Sequence, residues 1–138
     1  MVDRDIVLEK IKNIQNCLKR IKDKTKGGPS SLDDLDTEEI FVLNLQRAVQ
    51  STIDLASHVV SSEGLGLPDD LAENFRLLQK AGVIDAVLMK KMISMVGFRN
   101  IAVHEYSEVD TDVLRSILKE NLKDIEDFYA LVLERYKM

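Results

Sequence analysis

Apolar residues recur along this chain at intervals of three and four and hardly anywhere in strict alternation, so the sequence favours helices that each bury one stripe. Val7, Ile11, Ile14, Leu18 and Ile21 form the first row, with Lys10, Lys12, Lys19 and Lys22 between them. This helix is expected to stop at Lys26-Gly27-Gly28-Pro29-Ser30-Ser31, where two glycines and a proline cannot continue it cheaply, and a mobile acidic loop should follow. A second row, Leu45, Ala48, Thr52, Ala56 and Val59, is flanked by Phe41, Val49, Leu55 and Val60. Its helix should start near Asp36, with Glu39 closing a capping box, and end near Glu63-Gly64. Asp69 is placed to cap a shorter helix carrying Leu71, Phe75 and Leu78, which Ala81-Gly82 closes. From Ile84 a fourth helix puts Leu88, Met92, Met95 and Arg99 on one row, with Val87, Val96 and Val103 beside it; the methionines read as core. Ser107-Glu108-Val109-Asp110 reads as a loop, and Asp110 or Thr111 as the cap of a last helix. That helix should bury Leu114, Leu118, Ile125, Phe128 and Val132, supported by Ile117 and Tyr129.

Four substantial helices and one short one, joined by modest connections, predict an all-α fold: an antiparallel up-and-down four-helix bundle with an additional short helix. At 138 residues the chain is expected to form one domain, residues 1–138, hiding roughly 70% of the surface of its unfolded form. Hydrophobic residues at 45% and charged residues at 31% fit a soluble helical protein. A formal charge of −5 argues against a broad grip on nucleic acid, which depends on counterion release by many cations. Any nucleic acid must therefore meet a local basic site. The start of the chain lacks the basic and apolar stretches of a secretory signal, and no segment approaches the ~18 apolar residues of a membrane span. The expectation is a cytoplasmic protein with no membrane contact. Cys17 is the sole cysteine and sits in the first apolar row, which reads as a small core residue and excludes an intrachain disulfide.

The richest chemistry lies in Phe98-Arg99-Asn100-Ile101-Ala102-Val103-His104-Glu105-Tyr106. Arginine is a fixed cation whose planar fork of donors suits a phosphate, and histidine is the side-chain type that exchanges a proton near neutrality. Together, Arg99 and His104 suit phosphodiester chemistry. Arg99 continues an apolar row, so it needs a partner or a wet cleft. Across from it, Asn44, Arg47, Ser51, Asp54 and His58 share one face of the second helix. A solvated face is the simpler reading of that row; the sharper one is a polar wall, including Arg47 and Asp54, opposite Arg99. On an ideal helix Arg99 and His104 lie about 140° apart around the axis and ~7.5 Å apart along it. One straight helix cannot aim both at a single atom. Two remedies are expected together: unwinding near Val103, and a second copy of the chain meeting the first across a two-fold axis. No glycine-rich phosphate loop occurs, because Gly27-Gly28 and Gly64-Leu65-Gly66 lack the required strand and helix context.

The words Leu43-Asn44-Leu45-Gln46-Arg47-Ala48, Ile53-Asp54-Leu55-Ala56-Ser57-His58, Gly64-Leu65-Gly66-Leu67-Pro68 and Ala81-Gly82-Val83-Ile84, with the Arg99 segment, closely resemble the HepT-like branch of the HEPN superfamily. The likeness runs from about Leu43 to Tyr129. Arg99, Asn100, His104 and Tyr106 fill all four positions of that branch's motif. The resemblance implies an RNase toxin that acts as a homodimer without metal or other cofactor and is paired with a minimal nucleotidyltransferase antitoxin. It also implies that the antitoxin transfers AMP to Tyr106. The residues themselves are compatible, since they show no clustered carboxylates and no His/Cys set for a catalytic metal. Without a metal-activated water the nearest nucleophile is the 2′-hydroxyl of RNA. On this reading Arg99 and His104 are catalytic, and Asn100, Arg47 and Asp54 position the substrate. A different class stays open: an inactive helical interaction module that binds a nucleotidyltransferase partner, with Arg99 and His104 merely bonding at a helix end.

Overall fold

The computed structural model describes residues 1–26, 28–106 and 109–138. The first helix, α1 (Arg4–Thr25), begins where the Asp3 carboxylate accepts the N–H groups of Asp5 and Ile6, at 2.9 and 3.3 Å. It ends at Lys26, which turns left-handed with φ 52°; Gly27, part of the expected stop, lies outside the described residues. The segment expected as a mobile loop is instead a 3-10 turn, Pro29–Asp33, held by Leu32, which is buried in the core.

The second helix, α2 (Leu35–Ser62), starts slightly before Asp36, and its cap is Asp34 rather than Asp36. The Asp34 carboxylate accepts both the N–H and the hydroxyl of Thr37, at 3.0 and 2.7 Å. Those two bonds hold its carboxyl below the usual carboxylate range. Past Glu63, Gly64 and Gly66 adopt φ values of 62° and 142°, which only glycine takes without strain. The corner they make is tight: a Cβ on Gly66 would meet Leu77 at 3.1 Å.

Helix α3 (Glu73–Lys80) begins beyond Asp69, and Asp70 supplies the bond expected of it, accepting the Glu73 N–H at 2.8 Å. Helix α4 (Ala86–His104) is capped by Asp85, which accepts the Leu88 N–H at 2.8 Å. Ile84, the expected start, is buried ahead of it. Asp110 accepts the Asp112 N–H at 2.8 Å and opens α5 (Thr111–Ser116), as expected. A π turn, Ile117–Asn121, then interrupts what the sequence presents as one helix before α6 (Leu122–Arg135) continues it. Ser107 and Glu108 of the expected loop lie outside the described residues.

These helices form the expected all-α bundle, and the described residues contain no strand. Helix α2 is its centre: α1 lies along it, and α3, α4 and α6 also pack on it. The rows of α1 and α2 are buried throughout, and Phe75 of α3 meets Phe128 of α6 edge to face, with ring centroids 5.5 Å apart. Helix α4 departs from expectation. Leu88, Met92, Met95 and Val96 are buried, but Val87 is 62% and Val103 40% exposed. It is apolar on more than the side it buries. No helix among the described residues is long and apolar enough to cross a membrane.

Candidate active site

Met92, Met95 and Val96 of α4 pack with Val49, Thr52 and Ile53 of α2, which sets the height of the next turn. That turn places Arg99 above Gln50. Its Nε donates to Gln50 Oε1 at 3.0 Å, and its Nη1 donates to Asn100 Oδ1 at 3.0 Å. The Gln50 amide is itself fixed, since Nε2 donates to Asp54 Oδ1 at 3.0 Å, and Lys10 Nζ of α1 lies 3.8 Å from Asp54 Oδ2. A polar chain therefore runs Lys10, Asp54, Gln50, Arg99, Asn100 from α1 through α2 to α4. It answers the need for a partner that a half-buried guanidinium creates. Arginine carries five N–H donors, so this tether leaves part of the fork for a ligand.

His104 is the last residue of α4 and is exposed. With Asn100 it lines a cleft of about 720 Å³ whose other walls are Ser57 of α2 and the corner before α3. The expected unwinding near Val103 does not occur: the helix runs through His104, and the Glu105 N–H still donates to the Ile101 carbonyl at 2.7 Å. The backbone bonds of that last turn outweigh any pull on the histidine. Arg99 and His104 of one chain thus keep the angular separation of a straight helix, the first turned to Gln50 and the second to the α2–α3 corner. Asn100 joins the two sides, because it accepts from Arg99 and also lines the cleft of His104.

The polar row of α2 is not one solvated face. Asn44 is buried, with Nδ2 donating to the Ile40 carbonyl at 2.9 Å, and His58 Nε2 accepts the Asp3 N–H at 3.0 Å, fastening the start of α1. Ser51 is half-buried. Asp54 alone of the row connects to Arg99, through Gln50. Arg47 is exposed and faces α1: burial pushes the Cys17 thiol up, and Arg20 and Arg47 pull against that rise. Sequence reading passed over Gln50. The available signal was its place four residues before Asp54, a spacing at which Gln and Asp side chains bond on a helix.

Tyr106 lies just past the end of α4 and is 44% exposed. Partial burial raises the pKa of its phenol, and the carboxylates of Glu38 and Glu39 raise it further, so the hydroxyl keeps its proton well above neutrality. Among the described residues no three His, Cys, Asp or Glu side chains gather as a metal site would require.

Residues 2–132 match the family described as Ribonuclease HepT-like. The chain is 34% identical over 128 residues to the mRNA nuclease HepT of Shewanella oneidensis, an alignment covering 93% of this chain and 96% of that one. Its fold matches the tri-AMPylated Shewanella oneidensis HEPN toxin in complex with MNT antitoxin, with a TM-score of 0.89, 34% identity, and coverage of 96% of this chain and 99% of that one. A crystal structure of a toxin–antitoxin with AMP-PNP is similar at a TM-score of 0.88 and 33% identity, over 95% of this chain and 99% of that one.

Proposed function

The chain belongs to the HepT-like ribonuclease family, and from that premise we propose that it is an endoribonuclease toxin that acts as a homodimer. Its neutralisation falls to a nucleotidyltransferase antitoxin that adds AMP to Tyr106. The observation that carries the reading is the end of α4, where a tethered Arg99 with donors to spare stands about 1.4 turns from a His104 open to a cleft.

In the reaction, the 2′-oxygen of RNA attacks the adjacent phosphorus and the bond to the 5′-oxygen breaks. His104 takes the proton from the 2′-hydroxyl as general base, or gives one to the leaving 5′-oxygen as general acid. Arg99 stabilises the charge that builds on the phosphorus oxygens. The products are a 2′,3′-cyclic phosphate and a 5′-hydroxyl. Asn100 keeps the guanidinium and the substrate in register. Asp54 acts from behind Gln50, and Arg47, exposed on the α1 side of α2, positions the substrate through a flanking phosphate rather than the one being cut.

Two observations support the dimer. Arg99 and His104 of one chain turn toward different neighbours, and α4 exposes Val87 and Ile101 together with Gly97, beyond whose Cβ position there is open space. Val87, Ile101 and Gly97 fall within about 80° around the helix axis, so one partner helix can cover all three. Two α4 helices meeting across a two-fold axis bury that face and bring the Arg99 of one chain toward the His104 of its partner.

The test is incubation of the purified protein with end-labelled RNA in EDTA. Cleavage is expected at the rate seen without chelator; cleavage that stops in EDTA and returns with Mg²⁺ would overturn the metal-independent mechanism. Gln50→Leu, which removes the tether but fills the same space, is expected to slow cleavage about tenfold, the scale of one hydrogen bond to a charged group. An unchanged rate would show that the Gln50 bond does not aim the guanidinium.

A further inference from the structure

The outer face of α2 sets Arg47 against α1, and α1 supplies a second cation beside it. One contact fixes the register of the two helices: Lys10 Nζ of α1 lies 3.8 Å from Asp54 Oδ2 of α2. Seven residues further along α1 stands Cys17, and seven residues back along α2 stands Arg47, each about 10.5 Å from the Lys10–Asp54 level and turned by only about 20°. The two therefore meet across the antiparallel pair, the most closely packed in the bundle. Arg47 and Arg20, which is three residues past Cys17, are both close enough to act on the Cys17 thiol. Both guanidiniums are exposed, and neither enters an ion pair among the described residues. Other arginines are neutralised: Arg76 reaches Asp70 and Glu73, and Arg115 reaches Asp33 and Asp112. In a chain with 24 acidic against 19 basic side chains, two neighbouring arginines without a carboxylate make a local positive field that attracts an anion.

On α2, Arg47 stands three residues before Gln50, the side chain that holds Arg99. Three arginines thus follow one line, Arg99 on α4, Arg47 on α2 and Arg20 on α1. Lys10 does not join it, because Asp54 engages its charge. The exposed apolar neighbour of the line is Leu43, one turn before Arg47 and 44% exposed, which offers a base no hydrogen bond.

We propose that this line is a phosphate track that carries the RNA strand from the cut at Arg99 across α2 and onto α1, with Arg47 and Arg20 each holding one backbone phosphate. The proposal rests on the ribonuclease reading and adds Arg20, a contact on a helix with no part in the chemistry. Arginine suits the task, since its planar fork binds two phosphate oxygens at once. A strand being cut must leave the site on some side. The cleft of His104 opens onto the carboxylates of Asp69 and Asp70, which repel a phosphate. Along the track the nearby carboxylate, Asp54, is already paired. The grip is on the backbone, so it positions the strand without reading its bases.

The test compares a long substrate with the shortest one. Arg20→Gln and Arg47→Gln are each expected to weaken binding of a fluorescent 2′-O-methyl oligoribonucleotide, which cannot be cut, about fivefold at about 0.1 M salt. Each should also reduce the slope of log K against log salt by about 0.7, the share of one phosphate on a single strand. On a cleavable oligoribonucleotide of any base sequence the same variants should raise KM and leave kcat, as loss of uniform binding does. On a dinucleoside monophosphate, whose single phosphate is the one cut, they should cleave as the native protein does. Arg4→Gln removes the same charge about 24 Å along α1 from Arg20 and should change none of these values. A native salt slope in either variant, or an equal loss on the dinucleoside monophosphate, overturns the track and leaves the ribonuclease reading standing. A loss confined to binding of the nucleotidyltransferase partner also overturns it, by assigning the two arginines to a protein contact. Reduced slopes with no RNA cleaved under any condition overturn the ribonuclease reading and leave the track standing.

Discussion

Replacing either Arg99 or His104 with alanine is expected to lower RNA cleavage by about 10²–10⁴-fold, the range that a general acid–base group or a charge-stabilising donor contributes. Neither side chain belongs to the hydrophobic core, so the helical content measured by circular dichroism should be unchanged. Near-complete loss of activity with an intact fold separates an enzyme from a helical interaction module, in which the same changes would leave RNA untouched in both forms. Mixing the two inactive chains adds a test of assembly. In a dimer of one Arg99→Ala chain and one His104→Ala chain, a site built across the two-fold axis has one wholly intact copy, so about half of the native rate should return. If Arg99 and His104 act within one chain, both sites in that mixed dimer are dead. Activity that stays absent on mixing would reject the composite site.

The second large effect is expected at Tyr106. With a nucleotidyltransferase partner, ATP and Mg²⁺, the phenol oxygen attacks the α-phosphorus of ATP, pyrophosphate leaves, and each transfer adds about 329 Da as a new phosphodiester anion. A tyrosine phenol carries its proton at neutral pH, and burial with Glu38 and Glu39 raises the pKa of Tyr106 further, so the partner must supply the base that removes it. Once attached, the anion and its bulky nucleoside stand two residues from His104, where they compete with the RNA phosphate for Arg99. Cleavage should fall to background as the adduct forms. Tyr106→Phe is expected to lose both the mass shift and the neutralisation while still cutting RNA. The same adduct on the Phe variant would place the modification elsewhere.

The parts of the fold that show in the sequence are those decided by local pattern. Helix α1 packs along the length of α2, so its apolar row repeats without interruption and every member is buried. The start of α2 was legible only to within a residue or two, because Asp34 and Asp36 are both competent caps and only Thr37, offering two donors to Asp34, decides between them. Helix α4 shows the limit of periodicity: apolar residues lie outside its buried side too, interleaved with exposed Lys90, Lys91 and Ser94, so the pattern does not say which side meets the core, and Val87 and Val103 are exposed. Nothing local announces the π turn at Ile117–Asn121. The site divides the same way. Arg99, Asn100, His104 and Tyr106 stand out as a motif, whereas the Gln50 that holds Arg99 is brought to it from 49 positions away by the packing of α4 on α2. His58 looked like part of a polar wall until the fold supplied Asp3, from 55 positions away, as its partner. The groove beside His104 depends on where the α2–α3 corner sits, which no spacing reveals.

The central claim is that Arg99 and His104 cut RNA by turning its own 2′-hydroxyl on the neighbouring phosphate. The most direct measurement is the mass of the fragment ends left after cleavage in EDTA. The mechanism predicts upstream fragments ending in a 2′,3′-cyclic phosphate, or in the monophosphate formed when that ring opens, and downstream fragments beginning with a 5′-hydroxyl. Upstream fragments ending uniformly in a 3′-hydroxyl, with the phosphate on the 5′ end of the downstream fragment, would contradict it.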